Sequence, residues 1–219
     1  MPAASPPPFS AAAMLSLILT TAALAAPAGD PPAATEPAAQ SAEDANAEVE
    51  LTEVVDFTRE QEAERWITVN DNVMGGRSRG GPSFKDDTLI FSGATNTNGG
   101  GFSSIRTKPQ EWPLDGAEGL RMRVRGDGRT YQADASTGVK ASNFRVAYRA
   151  DFQTVKDEWV EVDVPFSKFR PTVMGQSVAG RVPELAAKDV RTLGFMIYDG
   201  QDGPFKLEVD WIKAYSPAP

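Results

Sequence analysis

The sequence contains no histidine and no cysteine. Without them there is no Ser-His-Asp triad and no thiol nucleophile. The same absences remove His/Cys zinc sites, disulfides and thiol redox chemistry. General acid–base work falls to Asp, Glu, Lys or Tyr alone. No G-x-x-x-x-G-K-S/T phosphate loop is present, and no G-x-G-x-x-G opens a helix. The carboxylate clusters Asp86-Asp87, Asp157-Glu158 and Asp199 to Asp202 lack the spacing of a calcium loop. No catalytic residue, metal or cofactor is therefore assigned, and the chain is read as a binding protein rather than an enzyme.

Long apolar runs are also scarce. Ala11 to Ala26 spans 16 residues, short of the roughly 20 that a membrane helix needs. Ala23-Leu24-Ala25 has the small-x-small pattern of a signal-peptidase site. It predicts a signal peptide over 1–25, cleavage after Ala25 and export to the periplasm or beyond, with no membrane span left. A mitochondrial or cytoplasmic protein is the alternative if that N-terminal reading fails. Residues 26–50 are mostly Ala, Pro and acids and cannot bury enough apolar surface to offset ordering entropy, so a disordered linker is expected there.

Residues 26–58 hold eight acids and no Lys or Arg. The chain has 30 acids and 22 basic residues, so the net charge of −8 belongs to that segment and the rest is neutral. A neutral domain gives no electrostatic reason to expect nucleic acid.

From Leu51 onward, short runs alternate in polarity between Gly, Pro and Asp turns. Leu120, Met122 and Val124 alternate with Arg121, Arg123 and Arg125. Val160, Val162 and Val164 alternate with Trp159, Glu161 and Asp163. Phe205, Leu207, Val209 and Trp211 share a phase, which predicts Trp211 in the core. Period two with regular turns argues for antiparallel strands, each with one buried face. The expected fold is all-β: two packed antiparallel sheets over 51–216, with little helix beyond Glu60–Arg65 and a turn near Pro183–Lys188.

Five segments resemble, in order, the signature blocks of the complex I intermediate-associated protein 30 family. They are Val69 to Ser78 (VNDNVMGGRS), Asn98 to Arg106 (NGGGFSSIR), Arg123 to Tyr131, Val164 to Phe169, and Gly203 to Ile212. The resemblance implies a jelly-roll sandwich like galactose-binding domains. It also implies an assembly chaperone whose protein partners are intermediates of NADH:ubiquinone oxidoreductase. A carbohydrate-binding module of the cell envelope, with a glycan as ligand, is the alternative.

Three sets of residues are candidates for binding. The signature turn offers Asn70, Asp71, Asn72, Met74, Gly75, Gly76 and Ser78, a composition that a tight turn also requires. Arg121, Arg123 and Arg125 share one strand face, and Arg145 and Arg149 another. If those strands are neighbours, the five guanidiniums and Tyr131 line one surface suited to an anionic ligand or an acidic protein. The competing reading is a solvated face of weak ion pairs. Trp159, on the polar side of its strand, is the candidate platform for a sugar ring, although packing is the usual role of a tryptophan.

Overall fold

The computed structural model describes residues 49–58 and 62–217. The expected signal peptide and nearly all of the expected linker lie outside them. Strand pairing begins at Val49 and Glu50, opposite Pro217 and Ser216, two residues inside the segment expected to be linker.

Two antiparallel sheets enclose the core. The six-stranded sheet runs β11 (Trp159–Pro165), β6 (Gly119–Arg125), β15 (Gly203–Pro217), β4 (Thr88–Thr95) and β3 (Arg79–Lys85), with β1 (Val49–Val55) on the C-terminal half of β15. The seven-stranded sheet runs β13 (Gln176–Ser177), β12 (Arg170–Val173), β10 (Ala147–Gln153), β7 (Thr130–Ser136), β14 (Thr192–Ile197), β5 (Ser103–Thr107) and β2 (Trp66–Asn70). A small hairpin pairs β8 (Lys140–Ala141) with β9 (Phe144–Arg145). Among the described residues, helix is confined to α1 (Glu62–Arg65) and short 3-10 turns, one at Ala187–Asp189.

Alternation decides which side chains fill the core. Leu120, Met122 and Val124 of β6 are buried and face Tyr148, Ala150 and Phe152 of β10 and Leu193, Phe195 and Ile197 of β14 across the sandwich. Phe91 and Phe205 meet edge-on at 4.8 Å, and Trp66 stacks on Phe195 at 6.0 Å. Such pairs add about 0.5–1.5 kcal/mol each beyond their burial.

Two expectations are corrected. Tyr131 shares its inward phase with Ala133 and Ala135 and is wholly buried, so it lines no surface. Burial, with the nearby Asp127 charge, pushes its hydroxyl well above the ordinary tyrosine range. Trp211 is not in the core. A bulge between Val209 and Trp211 inserts Asp210 and flips the phase, leaving Trp211 half-exposed with Lys213 Nζ 4.4 Å from its ring centroid. The Asp199 to Gly203 segment carries the chain from β14 in one sheet to β15 in the other.

Tight hairpin turns close several strand pairs. Asp86 and Asp87 both take positive φ, 49° and 55°, and close the β3–β4 hairpin. Met174 and Gly175, at 48° and 79°, close β12–β13.

Candidate functional site

The signature turn folds around one carboxylate. Asp71 is fully buried and accepts hydrogen bonds from Ser78 N (2.9 Å), Ser78 Oγ (2.5 Å), Gly101 N (2.7 Å) and Phe102 N (3.3 Å). Burial pushes its carboxyl up, but these donors together outweigh that and hold it below the ordinary aspartate range. The glycines beside it are needed for space. A Cβ on Gly76 or Gly100 would come within 2.2 or 2.4 Å of the Asp71 carboxyl group. Asn70 extends the same lock, donating from Nδ2 to the Gly80 carbonyl and accepting from Ser103 Oγ. Thus the first and second signature blocks are one structural unit. Its tip, Asn72, Val73 and Met74, with Gly75 at φ 86°, is exposed, as are Arg77, Asn98 and Gly99.

The third and fifth blocks are joined in the same way. Arg129 pairs with Asp199 at 2.5 Å and donates to the carbonyls of Pro204 and Gln201, and Asp127 accepts from Lys206 N. Four of the five signature blocks are therefore tied together in pairs within the fold.

The arginines expected on one surface are divided between two. Arg121, Arg123 and Arg125 lie on the outer face of the six-stranded sheet. Arg145 and Arg149 lie on the opposite outer face, beside Asp134. On the first face each guanidinium has its own carboxylate: Asp163, Asp210 and Glu208 respectively. Trp159 has the guanidinium carbons of Arg123 and Arg125 4.9 and 4.8 Å from its ring centroid. Those cations occupy the ring, which leaves it poorly placed as a sugar platform.

The second face differs. Strand register sets Arg149, Asp134, Gly194, Arg106 and Ile67 in one row across β10, β7, β14, β5 and β2. A Cβ on Gly194 would lie 2.3 Å from the Ile105 carbonyl oxygen, so only glycine permits this close pairing. Asp134 is buried, with Arg149 Nε at 3.0 Å and Arg145 Nη2 at 3.9 Å. Burial lowers the Arg145 pKa below the ordinary arginine value, and the Asp134 charge offsets this in part. Arg145 also donates to Ser136 Oγ at 2.9 Å. Above this row lies a groove of about 370 Å³ floored by Arg106, Arg145 and Arg149. Val73 and Met74 line it from the signature turn, Met174 from the β12–β13 turn, and Tyr198 from the β14–β15 connection. A second recess of about 330 Å³ shares Arg106 and Arg145. Among the described residues, no group of three or more His, Cys, Asp or Glu side chains is placed to hold a metal ion.

Sequence reasoning missed Arg106, Arg129, Asp134 and Met174. Alternation marks Arg106 as an outward residue of a short run, but only strand register sets it in one row with Asp134, across Gly194. Nothing in the sequence distinguishes Met174 from an ordinary turn residue.

The model of the complex I intermediate-associated protein 30 family matches residues 55–209, well over half of the chain. The chain belongs to the complex I intermediate-associated protein 30 family. It is 24% identical over 192 residues to the mouse mitochondrial protein of that name, a match covering 73% of this chain and 55% of that one. A probable mitochondrial member from Caenorhabditis briggsae is 31% identical over 105 residues, covering 44% of this chain and 29% of the relative. The chain thus spans only about half, or less, of the length of these curated relatives. Among solved structures, the family 11 carbohydrate-binding module of a Clostridium thermocellum cellulosomal cellulase matches with a TM-score of 0.55 at 14% identity, over 78% of this chain and 96% of the module. That likeness establishes the sandwich fold.

The relatives correct the expectation of export, since they are named as mitochondrial proteins. The physical reason lies in the N-terminal pattern. An alanine-rich apolar run with no basic residue before it carries too little of a signal peptide's pattern to fix a compartment.

Proposed function

We propose that this chain is a non-catalytic assembly factor that holds a protein partner during assembly of NADH:ubiquinone oxidoreductase. The family match across residues 55–209 carries this reading. The groove supports it, because it combines a cationic floor with apolar, methionine-bearing walls. Such walls adapt to a partner's side chains. The test is deletion of the gene in its native host, followed by native-gel analysis of the respiratory enzyme. The expected result is loss of the mature enzyme with accumulation of partial assemblies. Wild-type levels of mature enzyme in the deletion strain would overturn the reading.

A glycan-binding reading draws on one observation. Tyr198 is 53% exposed at the end of the groove and meets Phe102 edge-on at 6.4 Å, which leaves an aromatic face open to a sugar ring. Titration with cello-oligosaccharides separates the two readings, and the assembly-factor reading expects no saturable binding.

A further inference from the structure

Arg106, Arg145 and Arg149 have a single carboxylate between them, the buried Asp134. Arg149 uses Nε on Asp134, and its two terminal amino groups have no acceptor among the described residues. The Arg106 guanidinium forms no hydrogen bond or ion pair with any described residue, although it lies in both recesses and its charge acts on Arg145. The floor of the groove therefore presents unspent guanidinium donors and an uncompensated positive charge. Guanidinium forks match carboxylates in two-point geometry, and the attraction strengthens where water is partly excluded. Arg145 and Arg149 are only 32% and 21% exposed, so they lie below the rim. The rim itself is apolar, with Met174 66%, Val73 70% and Met74 52% exposed.

We propose that this groove takes a segment of a partner protein whose aspartate or glutamate carboxylate enters between Arg106 and Arg149. The aliphatic neighbours of that carboxylate then lie against Met74 and Met174. Charge complementarity fixes the acid, and the walls fix its apolar neighbours. A broad bilayer surface meets the rim before the recessed arginines, which favours a narrow protein segment over a membrane. A neutral sugar leaves the excess charge uncompensated. This inference deepens the assembly-factor reading and rests on it only in taking the partner to be a protein.

The test begins with selection of displayed random peptides on the full chain. Enriched peptides are expected to carry Asp or Glu flanked by Leu, Ile, Val or Met. The best peptide is then titrated by fluorescence anisotropy. Arg106→Gln is expected to weaken binding roughly tenfold or more, as loss of a charge-assisted contact does, and Arg123→Gln on the other sheet to leave it unchanged. Changing the peptide's acid to its amide should cause a similar loss, with little further loss in the Arg106→Gln protein. No enrichment, enrichment without an acid, indifference to Arg106→Gln, or tighter binding to anionic phospholipid vesicles each overturns the proposal. Normal enzyme assembly in a strain carrying only Arg106→Gln, when the deletion strain fails, would overturn the groove proposal and leave the assembly function standing. Normal assembly in the deletion strain would remove the assembly function, and the peptide data would then judge the groove alone.

Discussion

The two outer faces of the sandwich carry similar numbers of arginines and use them in opposite ways. On the six-stranded sheet, Arg121, Arg123 and Arg125 each meet a carboxylate, and Lys206 joins Glu208 at 3.1 Å. On the seven-stranded sheet, Arg145 and Arg149 share Asp134, and the Arg106 guanidinium has no carboxylate partner among the described residues. The arginines of the first face are each paired and have little to offer a ligand. The second keeps donors in reserve beneath an apolar rim. A count of arginines does not mark a site; the number of carboxylates within reach of them does.

The Asp71 lock gives the largest expected effect and sets the scale for both faces. Asp71→Ala strands buried N–H groups of Ser78 and Gly101, each at a cost of about 1–3 kcal/mol. A total loss of roughly 3–5 kcal/mol is expected by denaturant unfolding. A loss below about 1 kcal/mol would show that the turn does not depend on this carboxylate.

Next in size is a direct contrast between the faces. Asp134→Ala leaves the partly buried Arg145 and Arg149 without a counter-charge and should destabilise by about 2–3 kcal/mol. Asp163→Ala removes a partly exposed partner of Arg121 and should cost about 0–1 kcal/mol. Equal losses would erase the distinction drawn between the two faces.

Acid should also act through particular groups. Asp71, Asp199 and Glu208 are all held below their ordinary pKa values, Asp71 and Asp199 against the upward push of burial and Glu208 chiefly by its Arg125 hydrogen bond. A carboxyl depressed on folding contributes stability above its unfolded pKa and loses it as pH falls through the folded value. Thermal stability should therefore decline as pH drops below about 4, and Asp71→Asn should flatten that decline. A melting temperature independent of pH in this range would contradict the assignment.

Much of the fold was legible because alternation is a local signal. Leu120, Met122 and Val124 face inward as their spacing requires. Trp211 was misread because the bulge at Asp210 depends on pairing with β6, which one strand's sequence does not reveal. The site was less legible for a similar reason. Arg145 and Arg149 were marked as outward residues, but their separation from Arg121, Arg123 and Arg125 depends on which sheet each strand joins. The role of Asp71 also arises from distant residues, since two of its four donors come from Gly101 and Phe102.

The smallest expected effect concerns the groove wall. Met174 adopts a left-handed backbone conformation at φ 48° that costs a side chain of its kind about 1–2 kcal/mol. Met174→Asn should recover about 0.5–1 kcal/mol of stability while weakening partner binding. A variant both more stable and unimpaired in binding would remove Met174 from the site.

The central claim is that the seven-stranded face is the working surface. Hydroxyl-radical footprinting of the purified protein, alone and in complex with its captured partner, tests this most directly. Protection should fall on Met74, Met174 and Tyr198, with Trp159 and Trp211 reacting as in the free protein. Protection of Trp159 and Trp211, with Met74 and Met174 unchanged, would contradict the account.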